Sequence, residues 1–82
     1  MIKVRLFASV REAVGQAEID VSAEGVRTVT ELIAVLSRRG DAFRRALTAE
    51  NLLIAVNQTM AERTVTIGDG DEVAFLPPVT GG

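Results

Sequence analysis

Four residues near the middle of the chain, Thr28-Val29-Thr30-Glu31, set the strongest limit on what it can fold into, because they fix where its main helix begins. They match a capping box, in which the threonine hydroxyl and the glutamate three residues later satisfy the first free amides of a helix. Val29, Leu32, Ile33 and Leu36 then keep helical spacing on one face. Gly40 is placed to end that helix as its C′ residue, and Asp41 to cap a shorter helix through Leu47. On either side the pattern is β. Ile2, Val4 and Leu6 alternate with Lys3, Arg5 and Phe7, and residues 17–21 alternate around Ile19, which predicts two strands paired as a wide hairpin. Residues 9–15 between them hold a helical turn.

Leu52-Leu53-Ile54-Ala55-Val56 is short and wholly apolar, as a central strand requires. Asn57-Gln58-Thr59 turns the chain, Val65 and Ile67 suggest a brief edge strand, and Gly68-Asp69-Gly70-Asp71 forms a turn before a last strand over residues 72–76. With so long a connection between the second and third strands, the economical packing lays the main helix across one face of a mixed sheet, a two-layer α+β arrangement. Residues 1–76 make that domain, and residues 77–82 an extended tail.

Eighty-two residues with 48% hydrophobic content suffice for one modest core. The chain has neither cysteine nor histidine. Disulfides, thiolate nucleophiles, Cys or His metal sites and the commonest general base near neutral pH are therefore excluded. The longest apolar run, residues 52–56, is far below the ~20 residues that cross a bilayer, so a cytoplasmic protein is expected, with no membrane partner. Net charge is −2 with three aromatic residues, which argues against nucleic acid and reads the Arg38-Arg39 and Arg44-Arg45 pairs as solvated helix faces. Asp69, Asp71 and Glu72 lack the ligand spacing of a calcium loop, so no metal is expected.

The sequence closes on Leu76-Pro77-Pro78-Val79-Thr80-Gly81-Gly82. Two residues without Cβ leave a thin, permissive backbone that enters a narrow channel where a bulkier residue would jam. Pro77-Pro78 bias the preceding segment toward extended geometry, and six residues beyond Leu76 reach roughly 20 Å. The carboxylate of Gly82 is the candidate reactive group.

Asp69-Gly70-Asp71-Glu72-Val73-Ala74-Phe75, followed by Pro77-Pro78-Val79-Thr80-Gly81-Gly82, resembles the closing signature of the small subunits of molybdopterin synthase. The opening Ile2-Lys3-Val4-Arg5-Leu6-Phe7-Ala8, the Val10-Arg11-Glu12-Ala13-Val14-Gly15 segment and Ala55-Val56-Asn57-Gln58-Thr59 extend the resemblance along the chain. It implies the ubiquitin-like β-grasp fold and a sulfur carrier. An adenylyltransferase-type enzyme would use ATP to convert the Gly82 carboxylate into an acyl-adenylate. A sulfur donor such as a cysteine desulfurase or rhodanese-like protein would supply the sulfur that displaces AMP. The resulting thiocarboxylate would enter the large subunit and give its sulfur to cyclic pyranopterin monophosphate, within a heterotetramer whose large subunits supply the catalytic side chains. The chain itself would hold no stable cofactor. A carrier for thiazole, cysteine or tRNA thiolation would share this chemistry, and a ubiquitin-like modifier would share the fold.

By this resemblance Gly81, Thr80, Val79 and Pro78 line the partner's tunnel. Phe7, beside charges on its strand face, is either an interface anchor or a plug at one end of the core. Met60 is either an interface residue or a gap-filler, and Arg11 either pairs with an acidic group on a partner or is solvated. Alternation sets Phe75 with Val73 in the core, whereas the resemblance sets it against the large subunit; the expectation adopted is the latter.

Overall fold

The computed structural model describes residues 1–78; Val79, Thr80, Gly81 and Gly82 lie outside the described residues. The elements run β1 (Ile2–Leu6), α1 (Ala8–Val14), β2 (Glu18–Val21), α2 (Val29–Ser37), α3 (Asp41–Leu47), β3 (Leu53–Val56), β4 (Thr59–Ala61) and β5 (Glu72–Leu76). The five strands form one mixed sheet in the order β2-β1-β5-β3-β4. β1 and β5 pair in parallel, and the other neighbours pair antiparallel. The α+β expectation is met, with β5 at the centre and β3 one strand outward from it.

The capping box that the sequence announces is complete. The Glu31 amide donates to Thr28 Oγ1 at 3.2 Å, and Glu31 Oε1 accepts from the Thr28 amide at 3.1 Å. From there Val29, Leu32, Ile33 and Leu36 meet one face of the sheet, where Ile2, Val4, Leu6, Val73 and Phe75 are essentially inaccessible to solvent.

Three expectations need correction. The edge strand is Thr59–Ala61, not residues 65–67. Asn57 (φ 50°) and Gln58 (φ 68°) both adopt left-handed backbone, the mark of a two-residue hairpin loop, so the chain turns at the expected place but re-enters the sheet at once, from Thr59. Residues 63–67 instead turn at 63–64 and then serve the helix: the Val29 amide donates to the Val65 carbonyl (3.2 Å), and the Thr30 amide to that of Arg63 (2.9 Å). Two helix-end donors are thereby satisfied by a remote segment. Gly40, expected at the end of α2, instead precedes α3. Helix α2 stops at Ser37, and Gly40 adopts φ 152°, ψ 171°, a conformation open to glycine almost alone, before its carbonyl accepts from the Arg44 amide.

The third correction is Phe75, whose side chain is wholly buried at the centre of the sheet, opposite Leu6 of β1 and Ile54 of β3. Period-2 alternation, and not the resemblance, reads this position correctly. Phe75→Ala should cost about 3–5 kcal/mol, against well under half of that for Leu76→Ala on the open face, as measured by urea denaturation of each variant.

Candidate functional site

Cross-strand partners project from the same side of a sheet, so the strand register defines what the uncovered face carries. One row reads Glu18, Arg5, Ala74, Ala55, Met60 from β2 to β4. The next begins with Phe7 and contains the pair Leu76 and Leu53. Phe7 joins that row because its amide donates to the Phe75 carbonyl at 3.2 Å, carrying the β1–β5 pairing one residue further. Phe7 and Met60 are 37% and 60% exposed, while Leu53, Ala55 and Leu76 between them are half-buried. The three strand spacings from β1 to β4 span about 14 Å. An apolar strip thus crosses four strands, and charged residues dominate the remaining β1–β2 side.

Phe7 is held at both ends of its backbone. Its carbonyl accepts from the Val10 and Arg11 amides (3.0 and 3.2 Å) as the residue before α1, and Ala8 turns the chain with a left-handed φ of 48°. The Arg5 guanidinium carbon lies 5.8 Å from the Phe7 ring centroid. Its Nε and Nη1 atoms lie 3.6 Å from Glu18 and Glu72 carboxylate oxygens, respectively. Phe7 and Met60 therefore lie on the same open face of the sheet. Met60 stands in β4. Arg11 is exposed on α1, where it makes no ion pair among the described residues.

Leu76, Leu53 and Ala55 are members of the strip that sequence reasoning did not single out. The signal was present in β5, where alternation inward at Val73 and Phe75 obliges Leu76 to face outward. Pro77 and Pro78 continue directly from this strand, both half-buried. On the helical side they border a cleft of about 190 Å³ with Val10, Ala13, Ala46 and Leu52. The base of the tail consequently lies between the apolar strip on one side and the α1–α3 cleft on the other.

The acidic turn is occupied by its own hydrogen bonds. Asn57 Nδ2 donates to Asp71 Oδ1 (3.1 Å), the Gly68 amide donates to Asp71 Oδ2 (2.8 Å), and the Glu72 amide returns to Asn57 Oδ1 (3.0 Å). Asn57 and the Gly68 amide together hold the Asp71 carboxyl below its ordinary value. The bond to the Met1 ammonium and the attraction of its charge do the same for Asp69. Among the described residues no cluster of three or more His, Cys, Asp or Glu side chains could hold a metal ion. No helix among them is long and apolar enough to cross a membrane.

Residues 4–82 match the ThiS family. The chain is 48% identical over 82 residues, all of both chains, to the molybdopterin synthase sulfur carrier subunit of Escherichia coli (strain K12). It is similar to the solution structure of small archaeal modifier protein 1 from Methanosarcina acetivorans, with TM-score 0.82 and 26% identity over 99% of this chain and 95% of that one. It also shares its fold with a chain of the complex of subunits 1 and 2 of molybdopterin-converting factor from Helicobacter pylori 26695, with TM-score 0.69 and 24% identity over 99% and 97% of the two chains.

A carboxylate with a lowered folded-state pKa stabilises the fold at pH values above its unfolded pKa, and that contribution disappears as pH falls through the folded value. Asp71→Asn should accordingly flatten the loss of thermal stability below the ordinary carboxylate value of 3.8, measured as melting temperature against pH beside the parent chain.

Proposed function

The chain belongs to the ThiS family, and on that premise we propose that it is the sulfur carrier subunit of a molybdopterin synthase in molybdenum cofactor biosynthesis. The observation that carries the reading is the continuity between the sheet and the tail. The central strand, hydrogen-bonded on both sides, leads straight into Pro77-Pro78 beside an exposed apolar strip. Such a layout lets a partner grip the sheet face while the residues beyond Pro78 extend into its active site.

Chemically, the Gly82 carboxylate is a poor electrophile until it bears a good leaving group. Its oxygen attacks the α-phosphorus of ATP in the active site of an adenylyltransferase-type enzyme, releasing pyrophosphate and leaving an acyl-adenylate. The terminal sulfur of a persulfide on a cysteine desulfurase or rhodanese-like protein attacks the acyl carbon and expels AMP, and a thiol then cleaves the resulting acyl disulfide, releasing the thiocarboxylate and leaving a disulfide behind. The large subunit then receives Gly82 with Gly81, Thr80, Val79 and Pro78 in its tunnel, where the thiocarboxylate sulfur bonds to cyclic pyranopterin monophosphate and water hydrolyses the acyl–sulfur bond, leaving the sulfur on the pterin and regenerating the carboxylate. All catalytic side chains belong to the partners. ATP is consumed by the activating enzyme and is not held by this chain, which works in the cytoplasm. Phe7, Leu76 and Met60 provide the docking strip, and Arg11 is available to an acidic group at its margin. An apolar patch rimmed by polar residues is the kind of surface that proteins reserve for partners.

The likeness to a small archaeal modifier protein favours a second reading, in which the activated Gly82 is joined to amines of other proteins. Intact mass spectrometry after incubation with activating enzyme, ATP and sulfur donor separates the two. The carrier gains the mass difference of one sulfur for one oxygen, mapped to the C-terminal peptide; an unchanged mass, or high-mass conjugates through Gly82, would overturn that assignment. Replacing Phe7, Leu76 and Met60 together by Asp should abolish complex formation with the large subunit and leave the far-ultraviolet circular dichroism unchanged. A parent-like binding isotherm for the triple variant would refute the docking strip.

A further inference from the structure

Building on the sheet face as the docking surface, we infer that Arg5 is a specificity-determining residue there, which reads neutral oxygen acceptors on the partner, main-chain carbonyls above all. Arg5 stands where the charged part of the face meets the apolar strip, its side chain 42% exposed. Three neighbours fix its position: the Phe7 ring, with the guanidinium carbon 5.8 Å from its centroid, and the Glu18 and Glu72 carboxylates, each 3.6 Å away. Within about 6 Å a guanidinium is attracted to an aromatic face, so ring and cation form one unit. A partner that covers Phe7 also covers part of Arg5.

The two ion pairs are longer than hydrogen bonds, whose N–H···O separations run from about 2.7 to 3.2 Å. They compensate the charge of Arg5 while leaving its donors open. A guanidinium carries five N–H groups in a rigid fork, and any of them buried without an acceptor costs the desolvation of that group. The partner therefore has to supply oxygen. A carboxylate is the wrong oxygen here, because Glu18, Glu72 and Asp20 already line this side of the face with only Lys3 and Arg5 against them. A further negative charge would meet repulsion. Carbonyl oxygens at a strand end, a loop or a helix C-terminus fill the same donors without adding charge. Lysine cannot substitute, since its ammonium keeps the charge but loses the planar fork.

Arg5→Lys tests the idea because it preserves the net charge of the face. Binding to the cognate molybdopterin synthase large subunit, followed by isothermal titration calorimetry with variants whose melting curves match the parent, should weaken about tenfold. Arg5→Gln, which removes the charge, should also weaken binding, and by a factor that is the same at low and high salt, as expected for a contact to a neutral group. Parent-like affinity for Arg5→Lys would overturn the role of Arg5. A factor for Arg5→Gln that shrinks toward one as salt rises would identify a carboxylate on the partner and overturn the neutral acceptor. Phe7→Asp in the same series guards the premise: if it too binds like the parent, the sheet face is not the docking surface.

Discussion

The parallel pairing of β1 with β5 is the contact on which the remaining architecture depends. It joins the two strands furthest apart in sequence, with Val4 opposite Val73 and Leu6 opposite Phe75, and it obliges everything between them to fit around the pair. β2 takes the free side of β1, β3 takes the free side of β5, and α2 covers the inner face. A strand paired on both sides is a poor candidate for fraying. The element that leads into the tail is thus also the best anchored in the sheet, which gives the proposed reactive end a fixed origin.

Local chemistry in the sequence was legible wherever a single segment decided its own conformation. The capping box gave the start of α2, and alternation gave β1 and β5 with their inward and outward residues. The reading failed where the deciding partner lay far along the chain. Val65 and Ile67 do alternate, but the groups waiting for that segment are the first amides of α2, and nothing near residue 65 says so. Gly40 looked like a helix terminator because glycine often is; its conformation instead serves the entry into α3. At Phe75 two sources of inference conflicted. The pleat of the strand prevailed, and the outward position went to Leu76, one residue along. The strip itself was half visible, since Phe7 and Met60 stood out while the aliphatic residues joining them resembled any other strand interior.

The two halves of the open face follow different physics. Toward β2, Glu18, Asp20, Lys3, Arg5 and Glu72 alternate in sign across the strands, and exposed pairs of this kind add little stability. Their contribution is to keep that part of the sheet hydrated. Toward β4 the side chains become aliphatic and the face loses its affinity for water. A partner crossing the boundary exchanges water for protein on one side and has to respect fixed charges on the other, so orientation is specified along with affinity.

β4 is the outer strand on the apolar side, and it is three residues long. Beyond Ala61 the chain leaves the sheet, where Arg63 donates to the Leu47 and Ala49 carbonyls at the end of α3 and gives its own carbonyl to the start of α2. Holding the two helix ends thus withdraws from the sheet margin the backbone that could have lengthened it. An open margin with so few unpaired amides is a weak template for another strand. The same detour that completes the helices therefore disfavours strand addition at this margin, the route by which open sheets join edge to edge with copies of themselves.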